Sequence, residues 1–165
     1  MVILGIDPSL RSTGFGIITG QGQKWSCPAY GVIKNPAALR LSACLARISE
    51  AIERVIIEFK PNVLATEGIF FLQNQKIAIT LGHARGAAIA VAARTGMPIF
   101  EYAPRRIKQS VVGFGGAGKN QVAAMIRPVL GLKELPPPDA ADALAIALTH
   151  ANQILGIQTG KSAEI

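Results

Sequence analysis

Val2-Ile3-Leu4-Gly5-Ile6-Asp7-Pro8-Ser9-Leu10-Arg11-Ser12-Thr13-Gly14-Phe15-Gly16-Ile17-Ile18-Thr19-Gly20 is the stretch whose reading decides how this chain folds. Residues 2–6 are apolar and rich in β-branched side chains, as in a short strand buried on both faces. Asp7 ends that run, and Pro8, which has no N–H to give to a ladder, stops the strand. A polar turn over 9–13 leads into a second strand at Gly14–Ile18, so the stretch reads as a hairpin with one carboxylate at its mouth. A carboxylate at the end of a buried strand needs a cation, a cluster of donors or water. Asp7 therefore either caps the turn or waits for such a partner.

Working outward, 165 residues suffice for one domain with its own core. Half of them are hydrophobic, yet no apolar run reaches the ~18 residues of a membrane span. The first residues lack the charged start of a signal peptide, and Cys27 and Cys44 lack the spacing of a zinc site or redox pair. These features predict a cytoplasmic protein with reduced thiols. Seventeen Lys and Arg stand against ten acids, with an isoelectric point near 9.9. That excess points to a polyanionic partner, nucleic acid first.

Residues 24–33 read as a third strand, interrupted at Pro28, which completes an antiparallel meander. A helix is expected from near Pro36, with Leu41, Leu45, Ile48, Ile52, Val55 and Phe59 on one face and solvated charge on the other. Val63–Glu67 repeats the opening pattern, an apolar strand ending in a carboxylate. Phe70 and Phe71 follow in a loop, where they either stack on bases or tuck into the core. Asn74 can cap a helix running to about Arg94. Its Gly82, Gly86 and many alanines suit close packing by a second copy, a neighbouring helix or the sheet. Another short strand is expected over 97–101. Helices between the later strands make the sheet mixed, in an α/β layering.

Arg105, Arg106 and Lys108 form a basic cluster in a stretch, 105–112, that reads equally as strand or helix, before Gly113-Phe114-Gly115-Gly116-Ala117-Gly118-Lys119-Asn120. The glycine-rich run nearly matches a nucleotide phosphate loop, but Asn120 stands where a magnesium-binding hydroxyl belongs. A hinge that sets Lys119 against a phosphate is the better reading. Three prolines, 136–138, then fix the start of an Ala/Leu helix with Asp139 and Asp142 on one face of its first turn. The helix dipole alone accounts for acids there. Gathered with Asp7 and Glu67, however, they would repel one another unless cations joined them, and magnesium suits such oxygen ligands. Two such ions could activate a water and stabilise the leaving oxygen in phosphodiester cleavage.

In order and spacing, several motifs together resemble the RuvC-type Holliday junction resolvases. They are Gly5-Ile6-Asp7-Pro8, Thr66-Glu67, Gly82-His83-Ala84-Arg85-Gly86, Tyr102-Ala103-Pro104-Arg105-Arg106-Ile107-Lys108-Gln109, Gly118-Lys119-Asn120-Gln121-Val122 and Asp139-Ala140-Ala141-Asp142. The resemblance implies a ribonuclease H-like fold, a mixed five-stranded sheet flanked by helices. It implies one nuclease domain, taken as residues 1–157, and the tail 158–165, with Gly160-Lys161-Ser162, reads as disordered. It implies a homodimer that resolves four-way junctions by symmetrical paired nicks in recombination and repair. Asp7, Glu67, Asp139 and Asp142 match the family's catalytic, metal-holding acids, for two Mg2+ or Mn2+ ions per site. Lys108 and Lys119 match its DNA-contacting or catalysis-assisting lysines and Phe70 its junction aromatic, with Arg105 in the same basic cluster. The helix around 82–86 matches the dimer helix, and a branch-migration helicase of the RuvA and RuvB type is the implied partner. Two other classes remain in view: a non-catalytic junction-binding architectural protein, and a sugar-kinase-like nucleotide-binding protein, for which one lobe is too little.

Overall fold

The computed structural model describes residues 1–69, 74–156 and 163–165. Strands β1 (Val2–Asp7), β2 (Ser12–Gln21) and β3 (Lys24–Lys34) form the expected antiparallel meander. Helix α1 (Leu41–Phe59) leads to β4 (Val63–Glu67), which joins β1 in parallel with Ile6 opposite Thr66. Helix α2 (Gln75–Arg94) and β5 (Ile99–Tyr102) continue the parallel half. Helices α3 (Pro104–Val112), α4 (Lys119–Val129) and α5 (Pro138–Ile154) follow.

The sheet runs β3-β2-β1-β4-β5-β6. Its first five strands are those expected. The sixth, β6 (Ala163–Glu164), pairs antiparallel with β5 and comes from the tail read as disordered. Without β6, β5 would leave unpaired backbone groups at the sheet edge, and two residues suffice to meet some of them.

Strand side chains alternate between two cores. Leu4, Ile6, Ile17, Leu64 and Ile99 pack under α1 and α2, while Ile3, Ile18, Val63, Ala65 and Tyr102 pack under α3, α4 and α5. The first helix begins at Leu41 rather than near Pro36, because residues 36–39 form a turn with Leu39 N–H donating to the Pro36 carbonyl. Asn74 caps α2 as expected, its side chain accepting from Ile77 N–H at 3.2 Å. Residues 104–112 are helical, so the glycine-rich run joins two helices and lacks the strand–loop–helix setting of a nucleotide phosphate loop. Pro28 sits in a bulge, where Ile17 pairs with Ala29 but Thr19 with Ser26.

Helix α5 lies directly on β1 and β2, and glycine permits it. A Cβ on Gly5 would overlap the Ala143 carbonyl oxygen and come within 2.9 Å of the Ala147 Cβ. One on Gly14 would overlap the Asp139 carbonyl, and one on Gly16 would press on Leu144 at 2.5 Å. The helix answers with buried Ala140, Ala141, Ala143, Ala145, Ala147 and Ala151. At its far end His150 is buried, with Nδ1 2.6 Å from the Tyr102 hydroxyl and its ring 4.7 Å from that of Phe100.

Gly5→Ala forces this interface apart and should lower stability by about 1–3 kcal/mol, read by denaturant unfolding. Burial pushes the His150 pKa down to about 4. An unfolded His takes its proton near pH 6.5, so the unfolded chain binds protons first and stability falls as the pH drops from about 6.5 to 4. Unfolding at stepped pH should show His150→Gln lacking roughly 3 kcal/mol of that loss.

Candidate active site

β1 and β4 are parallel neighbours, so their C-terminal ends bring Asp7 and Glu67 side by side at one end of the sheet. The close seat of α5 brings its first turn over the same end. Asp7, Glu67 and Asp142 line one cleft together with Lys108, Lys119, Pro104, Ile107, Val122 and Ile146. Ile107 and Val122 anchor α3 and α4 in the core, which holds the two lysines at the rim.

Electrostatics mark this cleft. Burial, then the charges of Asp142 and Glu67, push Asp7 up to about 7, with Lys119 opposing and Asp139 adding least. Burial and Asp142 raise Glu67 as well, against Lys119 and Lys108. Lys119 Nζ stands 2.7 Å from Asp142 Oδ2, and that hydrogen bond leads the upward shift of its own pKa.

Asp139 lies at the same end of the sheet but does not line the cleft; its carboxylate accepts a hydrogen bond from the Ser12 hydroxyl. Among the described residues, no three His, Cys, Asp or Glu side chains are already drawn together as a metal-binding group. Asp142 is turned onto Lys119, and Asp139 onto Ser12. The donor chemistry nonetheless fits a hard divalent cation. Several carboxylates converge from separate elements, and burial and mutual repulsion disfavour their charge until a cation joins them.

Arg105 is exposed on α3, outside the cleft lining. Phe70 lies outside the described residues. Arg106 does not face the cleft: its guanidinium sits 5.4 Å from the Tyr102 ring centroid and donates to Gln153.

Two supports escaped the sequence reading. Ser12 reaches Asp139 across 127 positions, and no local pattern announces it. Arg85 bridges three elements: Nε donates to the Glu67 carbonyl at 3.3 Å and Nη2 to Glu101 Oε2 at 2.6 Å. Arg85 stands in the Gly82–Gly86 motif, but its partners come together only in the folded sheet, where Glu101 pairs with Thr66 beside Glu67.

A family model described as "Crossover junction endodeoxyribonuclease RuvC" matches residues 3–150. A curated protein of that name from Ruminiclostridium cellulolyticum is 43% identical over 153 residues, 92% of this chain and 92% of its own. Among solved structures, T. thermophilus RuvC in complex with a Holliday junction substrate is similar with a TM-score of 0.92 and 36% identity, covering 100% of this chain and 99% of that one. The yeast mitochondrial Holliday junction resolvase, at 13% identity, shares the fold with a TM-score of 0.61 over 89% of this chain and 76% of its own.

Because Lys119 holds both Asp7 and Glu67 down, Lys119→Met should raise both carboxyl pKa values, Asp7 to above 7. Carboxyl-carbon NMR titration of metal-free protein reads the shift.

Proposed function

The chain belongs to the RuvC family of crossover junction endodeoxyribonucleases, and from that membership we propose how its own residues resolve a four-way DNA junction. It is a phosphodiester hydrolase of ribonuclease H-like α/β fold. The observation that carries the residue assignment is the meeting of Asp7, Glu67 and Asp142 with Lys108 and Lys119 in one cleft of a strongly basic chain. Positive surface draws the DNA backbone in, and the acid cleft handles the bond to be cut.

Asp7, Glu67 and Asp142, with Asp139 beside them, would hold divalent metal, and we assign two magnesium ions. Such ions, when bound, lower the pKa of a water and stabilise charge on the leaving oxygen. Asp142 gives Oδ2 to Lys119, and its second oxygen would serve as a ligand. Lys108 and Lys119 then offer ammonium groups to phosphate oxygens at the mouth. Asp139, steadied by Ser12, orients the attacking water or completes the ligand set. Arg105 extends the basic rim, and Phe70 stays in the proposal as the loop aromatic.

Paired symmetrical nicks need two sites related by a two-fold axis, hence a homodimer. Helix α2 supports this reading: Ile79, His83, Gly86 and Ala90 are exposed along one face, and a Cβ on Gly82 or Gly86 would meet nothing within 4 Å. The close packing expected of these glycines is thus not made within the described residues. Recombination and repair in the cytoplasm, alongside a branch-migration helicase of the RuvA and RuvB type, complete the proposal on the strength of family membership. Among the described residues no helix is long and apolar enough to cross a membrane.

A labelled four-way junction and a matched linear duplex, each with magnesium or with chelator, test the function. Paired nicks are expected in the junction alone and only with metal. Asp7→Asn should bind the junction like the parent and cut it slower by a factor on the order of 10³ or more, the upper scale for removing one preorganised electrostatic group. Cutting by that variant at the parental rate would overturn the assignment of Asp7.

A further inference from the structure

Phe114 is an aromatic side chain that neither the core nor the acid cleft uses. It is 67% exposed, whereas the other described aromatics are buried or half-buried apart from Tyr30 at 37%. Its position is built rather than incidental. Gly113, at φ +81°, ends α3 in the left-handed conformation, and its N–H donates to the Gln109 carbonyl at 2.9 Å. The chain then folds back along α3, so that a Cβ on Gly115 would stand 2.7 Å from Arg105 Cγ. A Cβ on Gly116 would stand 2.6 Å from Phe114 Cζ and 2.7 Å from Cε1, so the ring rests where a side chain at 116 would be. The Ala117 N–H donates to the Phe114 carbonyl at 3.2 Å, and Ala117 is buried. Two residues on, α4 begins with Lys119, whose ammonium sits on Asp142 in the cleft.

The loop thus carries an open ring, with Arg105 against the next residue, Gly115, and Lys119 at the start of α4, on the segment that leads into the cleft. An exposed aromatic in a cationic setting suits a nucleic-acid base, which offers an apolar face beside its phosphate charge. A base paired within a duplex keeps both faces stacked; a base at a branch point has one to offer. We propose that Phe114 stacks on an unstacked base of the branched DNA, and so helps the protein prefer a junction over linear duplex. The inference rests on the junction-cleaving reading above and assigns a contact that reading does not contain.

The test is equilibrium binding, by fluorescence anisotropy in chelator, of a four-way junction and of a linear duplex with the same arm sequence. The parent is compared with Phe114→Ala, Phe114→Leu and Phe114→Trp. Loss of one stacked base should weaken Phe114→Ala on the junction by about 5- to 150-fold and leave duplex binding within twofold. Phe114→Trp should bind the junction like the parent, and Phe114→Leu should not. Unchanged junction binding by Phe114→Ala overturns the proposal. So does equal loss on both DNAs, or full binding by Phe114→Leu, which would make the contact apolar and not stacking. Thermal unfolding of each variant should match the parent, since the ring is outside the core. A parent that fails to cut the junction with magnesium refutes the nuclease reading instead, and that assay is scored separately.

Discussion

The direct contact of α5 with the bare backbone of β1 and β2 is the constraint on which the rest of the molecule depends. A helix resting on ordinary strand side chains stands off from the sheet. Here Gly5, Gly14 and Gly16 remove those side chains on one face, and the alanines of α5 remove them on the other. The close approach has a functional result, because Asp7 belongs to the sheet and Asp142 to the helix. Side-chain volume inserted between the layers would part the acids that make the cleft. Packing and chemistry are thus set by the same few small residues.

Against that geometry stands charge repulsion. The folded chain drives Asp7 up to about 7, mainly by burying it and then by facing it with Asp142 and Glu67. With an unfolded carboxyl near 3.8, the folded state holds that proton more tightly, so this group's contribution falls as the pH rises from about 4 to 7. Lys119 offsets part of the repulsion from a flexible side chain that is 74% exposed. A cation with firmer ligation would offset more, and its arrival would release protons. Carboxylates perturbed in this way by burial and by one another, inside a cleft, mark a candidate functional site.

Much of this arrangement could be read from the chain because it rests on local signals. Two apolar runs ending in acids gave strands with Asp7 and Glu67 at their tips, and a three-residue spacing put Asp139 and Asp142 on one helix face. Asn74 announced its own helix. Where the signal was non-local, reading failed or stayed open. Residues 104–112 mix basic and apolar positions too briefly to separate helix from strand by period alone. Ser12 meets Asp139 only after the whole fold has closed. Gly82 and Gly86 promised a close neighbour, and the described chain supplies none. The sixth strand is two residues long, too short for any periodic pattern to show.

The ends of the sheet carry one more consequence. On one side β3 is bent by the bulge at Cys27 and Pro28, and Pro28 has no N–H to offer. On the other, β5 is only four residues long and β6 already occupies two of them. The bulge interrupts one border and the shortness of β5 limits the other, and both features discourage strand addition along the sheet. The pairing proposed for this chain therefore falls to its helical surfaces, since addition of one sheet edge to the next would be open-ended.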